Sequence, residues 1–119
     1  MAMGGKIGHA EILIGGSHVM LADEFPEMDH LSPRSRGGAT SSIMLYVEDV
    51  DRAFRQALDA GATEQQPIQD QFWGDRMGSL VDPFGHGWSL ATHKEDVSPE
   101  EMRRRMEQFH QNQKQAQPA

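Results

Sequence analysis

The chain has 119 residues, of which 37% are hydrophobic, with a formal net charge of −7 and no cysteine. That is enough apolar material for one domain and too much for a disordered chain; the acidic balance argues against nucleic acid, which needs a basic face, and the missing thiols exclude cysteine nucleophiles, disulfides and Cys-based zinc sites. The opening stretch Met1–Lys6 lacks the apolar core of a signal peptide and no run is long enough to span a bilayer, so the expectation is a cytoplasmic protein with no membrane partner.

Ile7 to Ile14 reads as a strand, with Ile12 and Ile14 on one face and His9, Glu11 and Leu13 on the other. Gly15-Gly16-Ser17 is hairpin chemistry, and His18–Ala22 is the return strand. Asp23–Thr40 holds Pro26, Pro33, Gly37 and Gly38 without a sustained period; it reads as a linker, long enough to connect modules or cover a site. Its Arg34 and Arg36 are solvated, or meet an anionic ligand.

Ser42–Val47 is a short apolar strand, expected to be buried on both faces. Asp49 is a good helix N-cap and Asp51 suits the first turn. Val50, Ala53, Phe54, Ala57 and Leu58 make one apolar stripe, and Gly61 stops the helix. Ala62–Gln71 is a polar strand in which Pro67 calls for an edge or a bulge. Phe72-Trp73-Gly74-Asp75 is a loop or bend. Arg76–Val81 and His86–Thr92 then form a hairpin about Asp82-Pro83-Phe84-Gly85, where proline, aspartate and glycine each favour a turn. Ser98, Pro99 and Glu101 open a last helix over 98–113 with a capping box. Met102, Met106 and Phe109 share one of its faces.

The order from Ser42 is thus strand, helix, strand, strand, strand. Together with the EDV opening of the helix and the segment VDPFGHGWSL, it resembles the vicinal oxygen chelate superfamily of glyoxalases, bleomycin-resistance proteins, fosfomycin-resistance enzymes and extradiol dioxygenases. Within it the chain is most similar to bacterial glyoxalase/bleomycin-resistance-like proteins, through Asp82–His86, Trp88–His93 and Glu95–Met102. The resemblance implies an α+β fold in which two βαβββ modules each curl into half of a cup. One domain over 1–119 then comprises a remnant hairpin of a first module (7–22), a linker (23–40), a complete second module (41–93) and a C-terminal helix (98–113). With the first module reduced to two strands, the cup is expected to be completed by homodimerisation, through exchange of the hairpin or the C-terminal helix.

The resemblance also places the family's metal-ligand positions, here Ser42, Ser89 and a position near Met20, none of which is a good ligand for a divalent cation. No metal and no other cofactor is expected. The alternative is a metal-dependent lyase, isomerase or dioxygenase using His9 and Glu11, two apart on one strand face, with His18 or His86 as third ligand. A further alternative is an inactive truncated fragment that keeps the fold. Glu11 or Glu48 would serve as a general base only if buried. The aromatic residues carry the stronger binding signal. Tyr46, Phe72, Trp73 and Trp88, with His86, are the candidate ligand-binding residues; Phe72-Trp73 is costly to expose and suits a cup rim or a subunit contact. The expected function is binding or sequestering an unidentified small molecule.

Overall fold

The computed structural model of the protein describes residues 2–116, and side chains from residue 4 to residue 114. The fold is α+β, in two compact units, Met1–Ala39 and Thr40–Ala119. No helix among the described residues is long and apolar enough to cross a membrane.

The first unit is built from two small antiparallel ladders. Strands β1 (Ala2–Met3) and β2 (Lys6–Ile7) pair, and β3 (Ala10–Ile14) pairs with β4 (Ser17–Leu21) across the Gly15-Gly16 turn. The strand expected over Ile7–Ile14 is therefore split at Gly8-His9. The cause is local: the Ile7 amide donates to the Asp23 carboxylate at 2.7 Å, and its carbonyl accepts from the Asp23 amide at 2.8 Å. The stretch expected to be a linker is ordered by its own polar groups. It contains a 3-10 turn at Pro26–Met28, and the Glu24 carboxylate accepts from the Ser32 amide and the Ser35 hydroxyl. Arg36 pairs with Asp29 at 2.7 Å. Residues 23–39 thus belong to the hairpin unit.

The second unit is a mixed four-stranded sheet in the order β5-β8-β7-β6, where β5 is Ser42–Tyr46, β6 Thr63–Asp70, β7 Asp75–Val81 and β8 Gly87–His93. Strand β5 runs parallel to β8, and the other pairs are antiparallel. Helix α1 (Val50–Asp59) starts where the Asp49 carboxylate accepts from the Arg52 amide. It ends in a Schellman turn, with Ala62 N–H on the Ala57 carbonyl and Gly61 N–H on that of Leu58. Its stripe is buried as its spacing requires: Val50 and Phe54 meet Leu80 and Leu90, with Leu45, Ile68 and Trp88 packed around them. Gly78 makes this possible, since a Cβ there would stand 2.9 Å from the Phe54 ring and from Ile68. Thr92 locks the helix start by accepting from Val50 N–H and donating to the Val47 carbonyl, both at 2.9 Å.

Strand β6 is an edge strand with register shifts between Glu64 and Gln69, as Pro67 demands. Strand β5 departs from expectation. It is also an edge: Met44 and Tyr46 stand on the face away from α1 and are 44% and 62% exposed, and Ile43, on the α1 side but at the margin of the sheet, is 39% exposed. Continuous apolarity there reflects an edge whose outer face is open. Helix α2 (Pro99–Ala116) is capped by Ser98, whose hydroxyl accepts from Glu101 N–H.

The β7–β8 turn is held by Asp82, which accepts from the amides of Phe84 and His86 and from the indole of Trp88. Gly85 leaves it with φ of +93°. Gly85→Val is therefore expected to cost about 1–3 kcal/mol through backbone strain and to lower the Tm by several degrees. An unchanged Tm would show that the turn can take a relaxed path.

Candidate functional site

Strand alternation sends Leu80, Gly78 and Leu90 to the α1 side of the sheet and leaves Met44, Tyr46, Asp75, Met77, Ser79, Ser89 and His93 on the other. At the end of this open face lies a buried carboxylate with three side-chain partners, Asp75. Asp75 opens β7 directly after Gly74, whose φ is +100°. A side chain at Gly74 would collide with the Glu95 carbonyl, so the 72–75 turn and the strand exit at 94–97 are packed backbone to backbone. The Gly74 carbonyl accepts from both Lys94 and Glu95 N–H.

Asp75 is 4% exposed. Its Oδ2 accepts from the Tyr46 hydroxyl at 2.8 Å and the Trp73 indole at 3.2 Å, and its Oδ1 faces His93 Nδ1 at 2.9 Å. The other His93 nitrogen, Nε2, lies 2.7 Å from Asp96. Burial pushes the Asp75 carboxyl upward, but the bonds from His93, Tyr46 and Trp73 outweigh it and hold the group below its ordinary range. His93 is raised by its bonds to Asp75 and Asp96. The Tyr46 phenol is also raised, because it donates to Asp75. Near neutrality the corner therefore holds an ionised Asp75 and a phenolic Tyr46, and both carboxylates bias His93 toward its charged form, the one form able to donate from both nitrogens.

An open recess of about 460 Å³ adjoins Asp75, lined also by Asp70, Gln71, Gly74, Arg76, Lys94 and Glu95. The Arg76 charge is taken up by Asp51, through two bonds of 3.0 Å, and by Asp70 at 3.1 Å. A second recess of about 470 Å³ runs between β6 and α2 past Phe72, Arg105 and Phe109.

The residues singled out in the sequence fall into separate groups. Tyr46 and Trp73 come together on Asp75, and Phe72 packs against Trp73. Phe72 meets Trp73 edge-on at 5.0 Å and Phe109 at 5.3 Å, so α2 half-covers the pair expected at a rim. Trp88 lies on the α1 side against the core, its indole held by Asp82 at 2.9 Å. His86 sits exposed at that turn. Glu48 is exposed at the helix entry.

Reasoning from sequence singled out neither Asp75 nor His93. The available signal was alternation: Asp75, Met77, Ser79 and Val81 share a face, and Asp75 stands directly opposite His93.

The positions that the family resemblance assigns to metal ligands do not fit a divalent cation. Ser42 and Ser89 present hydroxyls on β5 and β8, and Met20 a thioether on the hairpin. On that hairpin His9 Nε2 and His18 Nδ1 lie 3.4 and 3.6 Å from the two Glu11 oxygens. Among the described residues no group of three or more His, Asp or Glu side chains is set to hold a metal ion.

The His93 bridge makes its own prediction. Its imidazole should titrate above its ordinary value of 6.5, as followed by NMR, and Asp96→Asn should bring that value down. The stability His93 contributes is complete below pH 6.5 and fades as pH rises through the raised value. That of Asp75 is complete above pH 3.8 and fades as pH falls through the lowered one. A His93 titrating at or below 6.5 would show that it does not span the two carboxylates.

Comparison with known proteins agrees with this architecture. A family model described as the Glyoxalase/Bleomycin resistance protein/Dioxygenase superfamily matches residues 1–90. Uncharacterized protein Mb0911c of Mycobacterium bovis is 45% identical over 105 residues, covering 86% of this chain and 69% of its own length. Uncharacterized protein Rv0887c of Mycobacterium tuberculosis is likewise 45% identical over 86% of this chain, here covering 62% of the relative. The chain thus spans about two thirds of the length of these relatives. Among solved structures, protein PA1353 from Pseudomonas aeruginosa is similar with a TM-score of 0.60 and 26% identity, over 76% of this chain and 65% of that one. TioX from Micromonospora sp. ML1 is similar with a TM-score of 0.54 and 29% identity, over 76% and 70%. The chain belongs to the glyoxalase/bleomycin resistance protein/dioxygenase superfamily.

Proposed function

We propose that the protein binds a small organic molecule on the open face of the four-stranded sheet, without the metal that many enzymes of its family use. The observation that carries this reading is Tyr46: an aromatic ring 62% exposed on a sheet face, yet held by its hydroxyl on a buried carboxylate. An aromatic residue fixed in place but left open to solvent offers a preorganised stacking surface. Met44 extends that surface along β5, and Trp73 borders it through their common partner Asp75. The serines at the family's ligand positions support binding in preference to metal chemistry.

In this reading a second copy of the chain completes the site. The hairpin leaves Ile12, Leu13, Met20 and Leu21 exposed by 45%, 64%, 70% and 43%, more apolar surface than a monomer comfortably presents to water. Strand β5 also keeps an unpaired edge, which invites another strand. A two-fold dimer would cover both.

A second reading rests on the hairpin, where His9, Glu11 and His18 gather within salt-bridge distance. It would make the protein a metal-dependent lyase, isomerase or dioxygenase. Native mass spectrometry with elemental analysis separates the two. The binding reading expects a species of twice 13.3 kDa with no stoichiometric metal. A stoichiometric divalent ion lost in the His9→Ala/Glu11→Ala variant would establish the metal reading, and a monomer at high concentration would remove the shared site.

The site itself is tested by screening aromatic fragments against the labelled protein. Binders are expected to shift the Trp73 indole resonance and to lose about tenfold in affinity, some 1.4 kcal/mol, in Tyr46→Ala. Fragments that bind with no effect at either residue would move the site elsewhere.

A further inference from the structure

The open face has a direction built into its hydrogen bonds. The single O–H of Tyr46 is donated to Asp75. The Trp73 indole N–H goes to the same carboxylate. The two ring nitrogens of His93 face Asp75 and Asp96. The side-chain donors of Tyr46, Trp73 and His93 are therefore all turned inward, onto carboxylates. Toward solvent remain the lone pairs of Tyr46 Oη, the face of its ring and the Met44 thioether, all of which accept and none of which donates. Ser42, Ser79 and Ser89 on the same face carry hydroxyls that rotate to accept as readily as to donate.

This polarity is robust because Asp75 enforces it. For Tyr46 to donate outward, its proton would have to leave a carboxylate that is 4% exposed and so cannot replace that bond with one from bulk water, leaving Oδ2 with the longer Trp73 bond alone. Asp75 stays ionised and Tyr46 stays protonated for the reasons given above, so neither change of protonation reverses the direction. The nearby guanidinium groups do not offset it. Arg76 is bound by Asp51 and Asp70, and Arg105 by Glu95 and Glu101. Lys94 is the remaining cation at the adjoining recess, against Asp70, Asp75 and Glu95. The whole chain carries −7.

We infer that the Tyr46 corner selects ligands that bring a hydrogen-bond donor on a flat apolar body, organic ammonium ions first among them, and discriminates against anions. This rests on the reading of the open face as a small-molecule site and adds the chemical class that site would take. The ring of Tyr46 would hold the flat body or the cation, and its oxygen would accept the N–H.

The test uses three probes with one ring system: 1-naphthylmethylammonium, 1-naphthylmethanol and 1-naphthylacetate. Each is titrated into the full chain at neutral pH and followed at the Trp73 and Trp88 indole resonances, in the wild type and in Tyr46→Ala. Tyr46 is largely exposed, so the variant is expected to fold, which circular dichroism checks. The expected result is that the ammonium binds about tenfold or more tightly than the acetate, with the alcohol between. The Trp73 signal should move and that of Trp88 should not, and the preference should collapse in Tyr46→Ala. Equal or reversed affinities with Trp73 still shifting would overturn the inference while leaving the binding reading intact. A tenfold preference that survives in Tyr46→Ala would come from the net charge alone and also overturn it. Binding of none of the probes, or binding that leaves Trp73 unmoved, would overturn both.

Discussion

Phe54 lies against β7 at Gly78, where any side chain would take the space of its ring. This one contact decides which face of the sheet is sealed. Once Phe54 and Val50 are seated on Leu80 and Leu90, helix α1 covers the side that carries the large aliphatic residues of β7 and β8. The opposite side is left with serines, two methionines, Tyr46 and Asp75, which the helix does not cover. The candidate site is in this sense the complement of the packing: alternation along a strand assigns every residue to one face or the other, and the helix claims one of them.

Asp75 organises what the helix leaves open. A buried carboxylate is unfavourable unless its oxygens are satisfied, and here each donor comes from a different segment. Tyr46 comes from the edge strand, Trp73 from the preceding turn and His93 from the end of β8. The same carboxylate thus ties three segments and sets the direction in which the Tyr46 hydroxyl and the Trp73 indole donate. Backbone packing of Gly74 against Glu95 brings those segments close enough for the network to close. The His93–Asp96 contact then continues the network to the segment that leads into α2.

The family to which the chain belongs is named for several activities, and fold alone does not choose among them. Local chemistry bears on that choice: hydroxyls and a thioether stand where the resemblance places ligands. The open face instead carries an oriented aromatic ring, with the Tyr46 and Trp73 donors turned onto Asp75.

Much of the second unit was legible in the sequence because its signals are local. Asp49 and Gly61 bracket a stripe that only a helix makes continuous, Pro67 demotes β6 to an edge, and Asp82-Pro83-Phe84-Gly85 can do little but turn. Capping, backbone dihedrals and periodicity act within a few residues, so the sequence by itself determined these elements and, through their order and motifs, the family. What it could not show depends on distant partners. The apolar run of β5 reads as a strand buried on both faces, and only its place at the sheet edge exposes Ile43, Met44 and Tyr46. The stretch at 23–40 reads as a linker, and it is the Glu24 and Asp29 side-chain bonds, with backbone bonds such as those between Phe25 and His30, that order its residues. Trp88 and Tyr46 look alike as aromatic strand residues, yet register sends one to the core and the other to the open face. Asp75 reads as a turn residue, and it becomes the centre of a hydrogen-bond network because tertiary pairing sets it opposite His93, beside an edge-strand residue 29 positions earlier in the chain. Burial and hydrogen-bond partnership are properties of the assembled sheet, and a carboxylate acquires its role only when that sheet removes it from water and supplies its donors.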